Sequence, residues 1–121
     1  VHKYMEISIK NDEFLLAVAD EIPFDYLCGT AECLKAIAHP TRLQILLYMM
    51  KGDFTVDEIS KHSELSQAQT SGHLRLMEGK GLLSRERRGR TVFYSILEPH
   101  LIDVLQCING RYVEMKESLK R

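Results

Sequence analysis

Two short runs in this 121-residue chain could do chemistry, and in both the chemistry is recognition rather than bond-making. The first, Gln67-Ala68-Gln69-Thr70-Ser71-Gly72-His73-Leu74-Arg75, sets short hydrogen-bonding side chains along a segment with helical spacing. A helix facing a DNA major groove needs such groups at its N-terminal turns, because base edges lie close and long apolar residues there would be desolvated for nothing. Gln67, Gln69, Thr70 and Ser71 supply them, while His73 and Arg75 lie further on, in reach of phosphates or base edges. Gln69, Thr70 and His73 are the strongest candidates for base readout; Leu74 and Met77 point to the core. The second run, Arg87-Arg88-Gly89-Arg90, crowds Arg87, Arg88 and Arg90 at a turn, where mutual repulsion is unfavourable unless phosphates neutralise it. The plainer alternatives are a solvated polar face and a solvated charge run. Their adjacency favours nucleic acid.

Charge distribution points the same way. The net charge of -1 conceals a net of -5 over residues 1–64 and of +4 over residues 65–97, with residues 98–121 balanced. A polyanion would be drawn to the middle segment alone. Other chemistries fare less well: there is no glycine-rich phosphate loop, nucleophile elbow or paired His-Glu metal motif, so no enzyme is expected. Cys28, Cys33 and Cys107 are an odd set and Cys28-x4-Cys33 is not a zinc-ribbon spacing, so reduced thiols are the default. His2, His39 and His62 need only solvated or capping roles.

The elements that would carry these groups are mostly helical. Length and composition fit one domain over residues 1–121, with an N-terminal extension of about 1–24. Asp12 to Asp20 suits a short helix before Pro23, and about Asp25 to Ala38 suits a second, ending at His39-Pro40. Pro40 opens a third that runs to Lys51 and stops at Gly52. Thr55-Val56-Asp57-Glu58 has the spacing of a capping box for a short helix to about Lys61; after a turn from His62 to Leu65, Ser66 caps another that reaches about Lys80. That pair is a helix-turn-helix. Leu82 to Arg87 and Thr91 to Ile96 then read as strands joined by Arg88-Gly89-Arg90, a wing. A last helix, about 98–119, presents Leu101, Leu105, Ile108, Tyr112 and Met115 in steps of three and four, a stripe that wants a second subunit. No apolar run approaches the ~20 residues that span a bilayer, and Val1 to Lys10 lacks a secretory apolar stretch, so a soluble, cytoplasmic protein is expected.

Leu34-Lys35-Ala36-Ile37-Ala38-His39-Pro40-Thr41-Arg42-Leu43-Gln44-Ile45-Leu46, then Leu65-Ser66-Gln67-Ala68-Gln69-Thr70-Ser71-Gly72-His73-Leu74 and a basic hairpin ending Val92-Phe93-Tyr94, resemble the ArsR/SmtB family of winged-helix repressors over roughly residues 30–105. The resemblance implies a mainly α winged helix-turn-helix with a small β-hairpin, dimerising through terminal helices and occupying double-stranded operator DNA as a homodimeric repressor. It also implies a search for a metal, metalloid or thiol-oxidant inducer. The family's cysteine pair on the first DNA-reading helix is replaced here by Thr55-Val56-Asp57. Its zinc pattern on the last helix is degenerate, with Glu98, His100 and Glu114 suitable but Arg111 unable to ligate. Cys28, Cys33 and Cys107 are candidates for a thiolate site or a redox-switched pair, against the plainer role of small buried hydrophobes. A winged-helix interaction module that does not bind DNA is the competing expectation.

Overall fold

Local hydrogen bonding decides where the helices start. The computed structural model describes residues 12–120, which form α1 (Asp12–Ala19), α2 (Phe24–Ile37), α3 (Pro40–Met49), α4 (Val56–Ser63), α5 (Gln67–Gly79), β1 (Leu83–Arg88), β2 (Thr91–Ile96) and α6 (Pro99–Leu119). The expectations for Val1 to Lys10 and His2 lie outside the described residues. At α3 the His39 imidazole caps the helix, its Nδ1 accepting from the Thr41 N–H at 3.2 Å, and Pro40 fills a position whose N–H would be unsatisfied. Both capping boxes close: Glu58 N–H donates to Thr55 Oγ1 and Thr55 N–H to Glu58 Oε1, while Gln69 N–H donates to Ser66 Oγ and Ser66 N–H to Gln69 Oε1.

The link between α4 and α5 is built without glycine. Glu64 takes the left-handed conformation at φ 57°, which costs a non-glycine residue roughly 1–2 kcal/mol. Two bonds hold it there: Ser60 Oγ donates to the Leu65 carbonyl at 2.6 Å, and Leu65 N–H donates to the Ser60 carbonyl.

The strands pair antiparallel from Leu83 opposite Ile96 to Arg88 opposite Thr91. Arg88, expected in the turn, therefore belongs to β1, and the turn is the two residues Gly89-Arg90. Gly89 takes φ 66° and Arg90 does not, the arrangement of a primed hairpin turn with glycine first. Phe54, in the α3–α4 loop, adds a two-bond bridge to Tyr94, extending the wing by one residue of a third strand.

The chain divides into two compact units, residues 1–32 and 33–121. In the second, Ile45, Leu46, Ile59, Leu74, Met77, Leu83 and Leu105 are fully buried and form one core with Ala36, Ile37, Met49, Leu82, Tyr94 and Leu101. Each such aliphatic side chain contributes roughly 1.5–3 kcal/mol by leaving water. In the first unit Phe14, Leu16, Phe24 and Tyr26 are exposed. Among the described residues, no helix is long and apolar enough to cross a membrane.

Helix α6 corrects the expected stripe. Leu101 and Leu105 are 3% and 0% exposed within their own protomer, because the first turns of α6 pack beside α3 and β2. Ile108 is half-buried, and beyond it Tyr112 and Met115 are 57% and 54% exposed. The stripe is thus one core anchor followed by one open apolar face. Leu105→Ala is expected to lower unfolding stability by about 2–5 kcal/mol, the range for aliphatic truncation in a packed core, measured by urea denaturation at fixed protein concentration.

Candidate nucleic-acid interface

Helix α5 shows two chemically different sides. Thr70, Leu74 and Met77 are buried, and round the opposite side Ala68, Gly72, Arg75 and Gly79 are exposed, with Ser71 half-exposed beside them. Two candidates for base readout are corrected by this. Thr70 lies four residues before Leu74 and so shares its inward face; its Oγ1 donates to the Ser66 carbonyl at 2.9 Å, and the side chain has no exposed surface. His73 also turns inward, where Arg42 Nε of α3 donates to its Nδ1 at 3.1 Å and its ring lies 5.1 Å from that of His39. Arg42 Nη1 bonds the Ala36 carbonyl as well, so this guanidinium ties the end of α2 to α3 and α5.

Burial first, then the positive charges of Arg42 and His39, hold the His73 imidazole below its ordinary value. The neutral ring is the form that can accept the Arg42 bond.

Gln69 and Gln67 are exposed but occupied. Gln69 closes the capping box, and Gln67 Nε2 donates to Asp57 Oδ1 of α4 at 2.9 Å. Asp57 also pairs with Lys61 at 3.0 Å, and these contacts, Lys61 foremost, lower its carboxyl. Ser71 and Arg75 are the two candidates on α5 with no such tie among the described residues. Ala68 and Gly72, exposed on the same side, are not residue types that a search for hydrogen-bonding groups nominates. The available signal was an isolated glycine inside a helical run, which costs roughly 0.5–1 kcal/mol relative to alanine.

On the wing the three arginines differ. Arg88 is matched inside the protein: Nη2 meets Asp53 Oδ2 at 2.6 Å, Nε meets Glu86 Oε1 at 3.2 Å, and its guanidinium carbon lies 4.7 Å from the Phe93 ring centre. The Asp53 bond, then that to Glu86, raises its already high value further. Arg87 Nε donates to the Gly89 carbonyl at 3.0 Å, which braces the turn. Arg87 and Arg90 are exposed and have no carboxylate partner among the described residues, so with Arg75 they are the arginines of α5 and the wing that are open to a polyanion.

The sensor candidates are scattered in role. Glu98 is the N-cap of α6, accepting from the His100 N–H and meeting its Nδ1 at 2.8 Å, which lowers the Glu98 carboxyl. Cys28 and Cys107 are exposed, and Cys33 is half-buried with its thiol 3.6 Å from the Lys80 carbonyl. Among the described residues no three His, Cys, Asp or Glu side chains converge to hold a metal ion. Glu98, His100 and Glu114, all on or beside α6, are therefore not assembled as a site.

A family profile described as bacterial regulatory protein, arsR family, matches residues 39–85, the segment from the α3 cap to β1. A probable mercury resistance operon repressor of Streptomyces lividans is 33% identical over 85 residues, 70% of this chain and 68% of that protein. The transcriptional repressor PagR of Bacillus anthracis is 37% identical over 94 residues, covering 76% of this chain and 93% of PagR. The chain belongs to the arsR family. Solved structures agree on the winged helix-turn-helix of this ArsR-family protein. The PagR crystal structure superimposes with TM-score 0.66 at 34% identity over 71% of this chain and 99% of that one. A winged helix-turn-helix domain of Mycobacterium bovis, described as homodimeric and DNA-binding, gives TM-score 0.65 at 25% identity over 73% and 82%.

The His73 junction has a measurable consequence. Because its folded value lies below the unfolded value of 6.5, the unfolded state binds the proton more readily; stability is full above 6.5 and declines as pH falls below it. His73→Asn keeps an acceptor for Arg42 and removes the titration. Its thermal midpoint is expected to fall less than that of the parent protein as pH is lowered through this window, measured by circular dichroism.

Proposed function

We propose that this ArsR-family protein is a homodimeric repressor that sets two α5 helices in successive major grooves, about one DNA turn apart, while its wings grip the flanking phosphates. One observation carries this: the exposed side of α5, with Ser71 and Arg75, is followed directly by a hairpin whose tip offers Arg87 and Arg90. The bound sequence is read through α5 and the phosphates are held mainly by Arg75, Arg87 and Arg90. Gln67 and Gln69 join in if their internal bonds are exchanged for bases. A chromosomal target places the protein in the cytoplasm. The polar groups form an open surface, which suits binding without catalysis.

Pairing is supported by the apolar face that α6 leaves open, Ile108, Tyr112, Met115 and Leu119, and by the M. bovis domain described as homodimeric. For release, a soft metal or metalloid ion, or an oxidant, acting on Cys28, Cys33 and Cys107 is the effector class we favour, on the strength of the mercury resistance operon repressor among its relatives. The effector then acts by favouring the dimer geometry that fits DNA poorly.

Salt titration of binding to duplexes from the protein's own promoter tests the reading. The slope of log K against log salt is expected to flatten by about 0.9 for each phosphate that Arg90→Ala leaves without a cation. Arg88→Ala is expected to change it less, since Asp53 and Glu86 already compensate that charge. Salt-independent binding, or none, would leave the interaction-module reading standing. Separately, Tyr112→Glu with Met115→Glu is expected to yield monomers in sedimentation velocity and to weaken DNA binding at least tenfold, by analogy with charge burial at an interface.

A further inference from the structure

We propose that Gly72 is a specificity-determining position, the point where α5 comes closest to the DNA, and that the space above it seats a thymine methyl group. The inference rests on the DNA-binding reading. Gly72 lies in the second turn of α5, well inside the helix, with no left-handed φ and with open space where a Cβ would stand. Nothing in the protein's own packing therefore calls for glycine there, and an unbranched helix former would favour the helix. The bare backbone at Gly72 is a place where a partner outside the chain can approach α5 closely.

The neighbours say what kind of requirement it is. At about 100° per residue Gly72 lies roughly 160° round the helix from buried Thr70, at the middle of the exposed side. One turn earlier on that side stands the methyl of Ala68, and Arg75 follows one turn later. The longer polar side chains that would keep a groove floor at a distance are turned away or tied down: Gln67 on Asp57, Gln69 on the Ser66 cap, His73 on Arg42. At Gly72 itself the outward surface is backbone beside the Ala68 methyl, flanked by half-exposed Ser71 and by exposed Arg75 and Leu76. The glycine and alanine between these neighbours cannot hydrogen-bond a base through a side chain, but they can accept the one apolar feature of the major groove, the thymine C5-methyl. Gly29, Gly79 and Gly110 are as open as Gly72, but Gly29 and Gly110 lie on α2 and α6, and Gly79 is the last residue of α5, two turns beyond Gly72.

The test uses the full chain and duplexes enriched from a randomised pool by the parent protein. Gly72→Ala is expected to raise the melting midpoint by a few degrees while weakening binding to the enriched duplex about tenfold, the scale of one unfavourable base contact. Replacing thymine by uracil, one position of the half-site at a time, is expected to weaken parent binding at one position and to restore binding by Gly72→Ala at that same position, because the added methyl fills the space vacated. Equal affinity of the two proteins for the enriched duplex, or a loss that no uracil substitution repairs, would overturn the assignment. Failure of the parent protein to enrich any sequence would overturn the DNA-binding reading itself, and this inference with it.

Discussion

Leu74 and Met77 have no exposed surface, and the outward chemistry of α5 depends on that burial. A helix of thirteen residues has little stability of its own in water, so its orientation is set by the face that it packs. With Leu74 and Met77 held against the core, Thr70 is drawn inward with them and Ala68, Gly72 and Arg75 are turned out. Arg42 adds a polar clamp on the same side by bonding both the Ala36 carbonyl and His73. At the other end, Ser60 closes the turn into α5 around the left-handed Glu64. The recognition face is what remains after the interior has been satisfied.

Charge is sorted by position in the same way. Residues 65–97 carry most of the surplus arginine, yet the groups in this stretch are not equivalent. Arg88 commits its hydrogen bonds to Asp53 and Glu86 and lies over Phe93, while Arg85 meets Glu78 at 3.5 Å. These exposed pairs add little to folding, as surface ion pairs generally do, but they fix where side chains point. The cations left for a polyanion cluster at the hairpin tip and on the outward side of α5. Helix α6 is divided in a comparable way, with Leu101 and Leu105 closing the protomer core and the residues beyond Ile108 left for an outside surface.

Much of the fold was legible because it is local. Proline at the first turn of α3 and α6, the capping box at Thr55, the cap at Ser66, and Gly89 in the hairpin each encode their geometry within four residues, and each is found where the sequence puts it. The candidate site was less so. Residue type nominated Thr70 and His73, although their spacing from Leu74 and Met77 already gave Thr70 an inward phase; polarity was weighed above periodicity. The Arg88–Asp53 pair joins residues 35 positions apart, and nothing in either neighbourhood announces the other. For α6, steps of three and four mark an apolar side but carry no label for whose core it fills, so one stripe concealed two partners.

Phe54 is a single residue of bridge, bonded through both backbone groups to Tyr94 and stacked 4.3 Å from Tyr48. Tyr48 in turn stacks on His62 at 3.8 Å, so hairpin, loop, α3 and α4 are riveted at one spot. The hairpin is thereby fastened to the helices at Tyr94, three residue pairs below its turn. The direction in which Arg87 and Arg90 leave the protein is thus set by stacked rings that neither arginine touches.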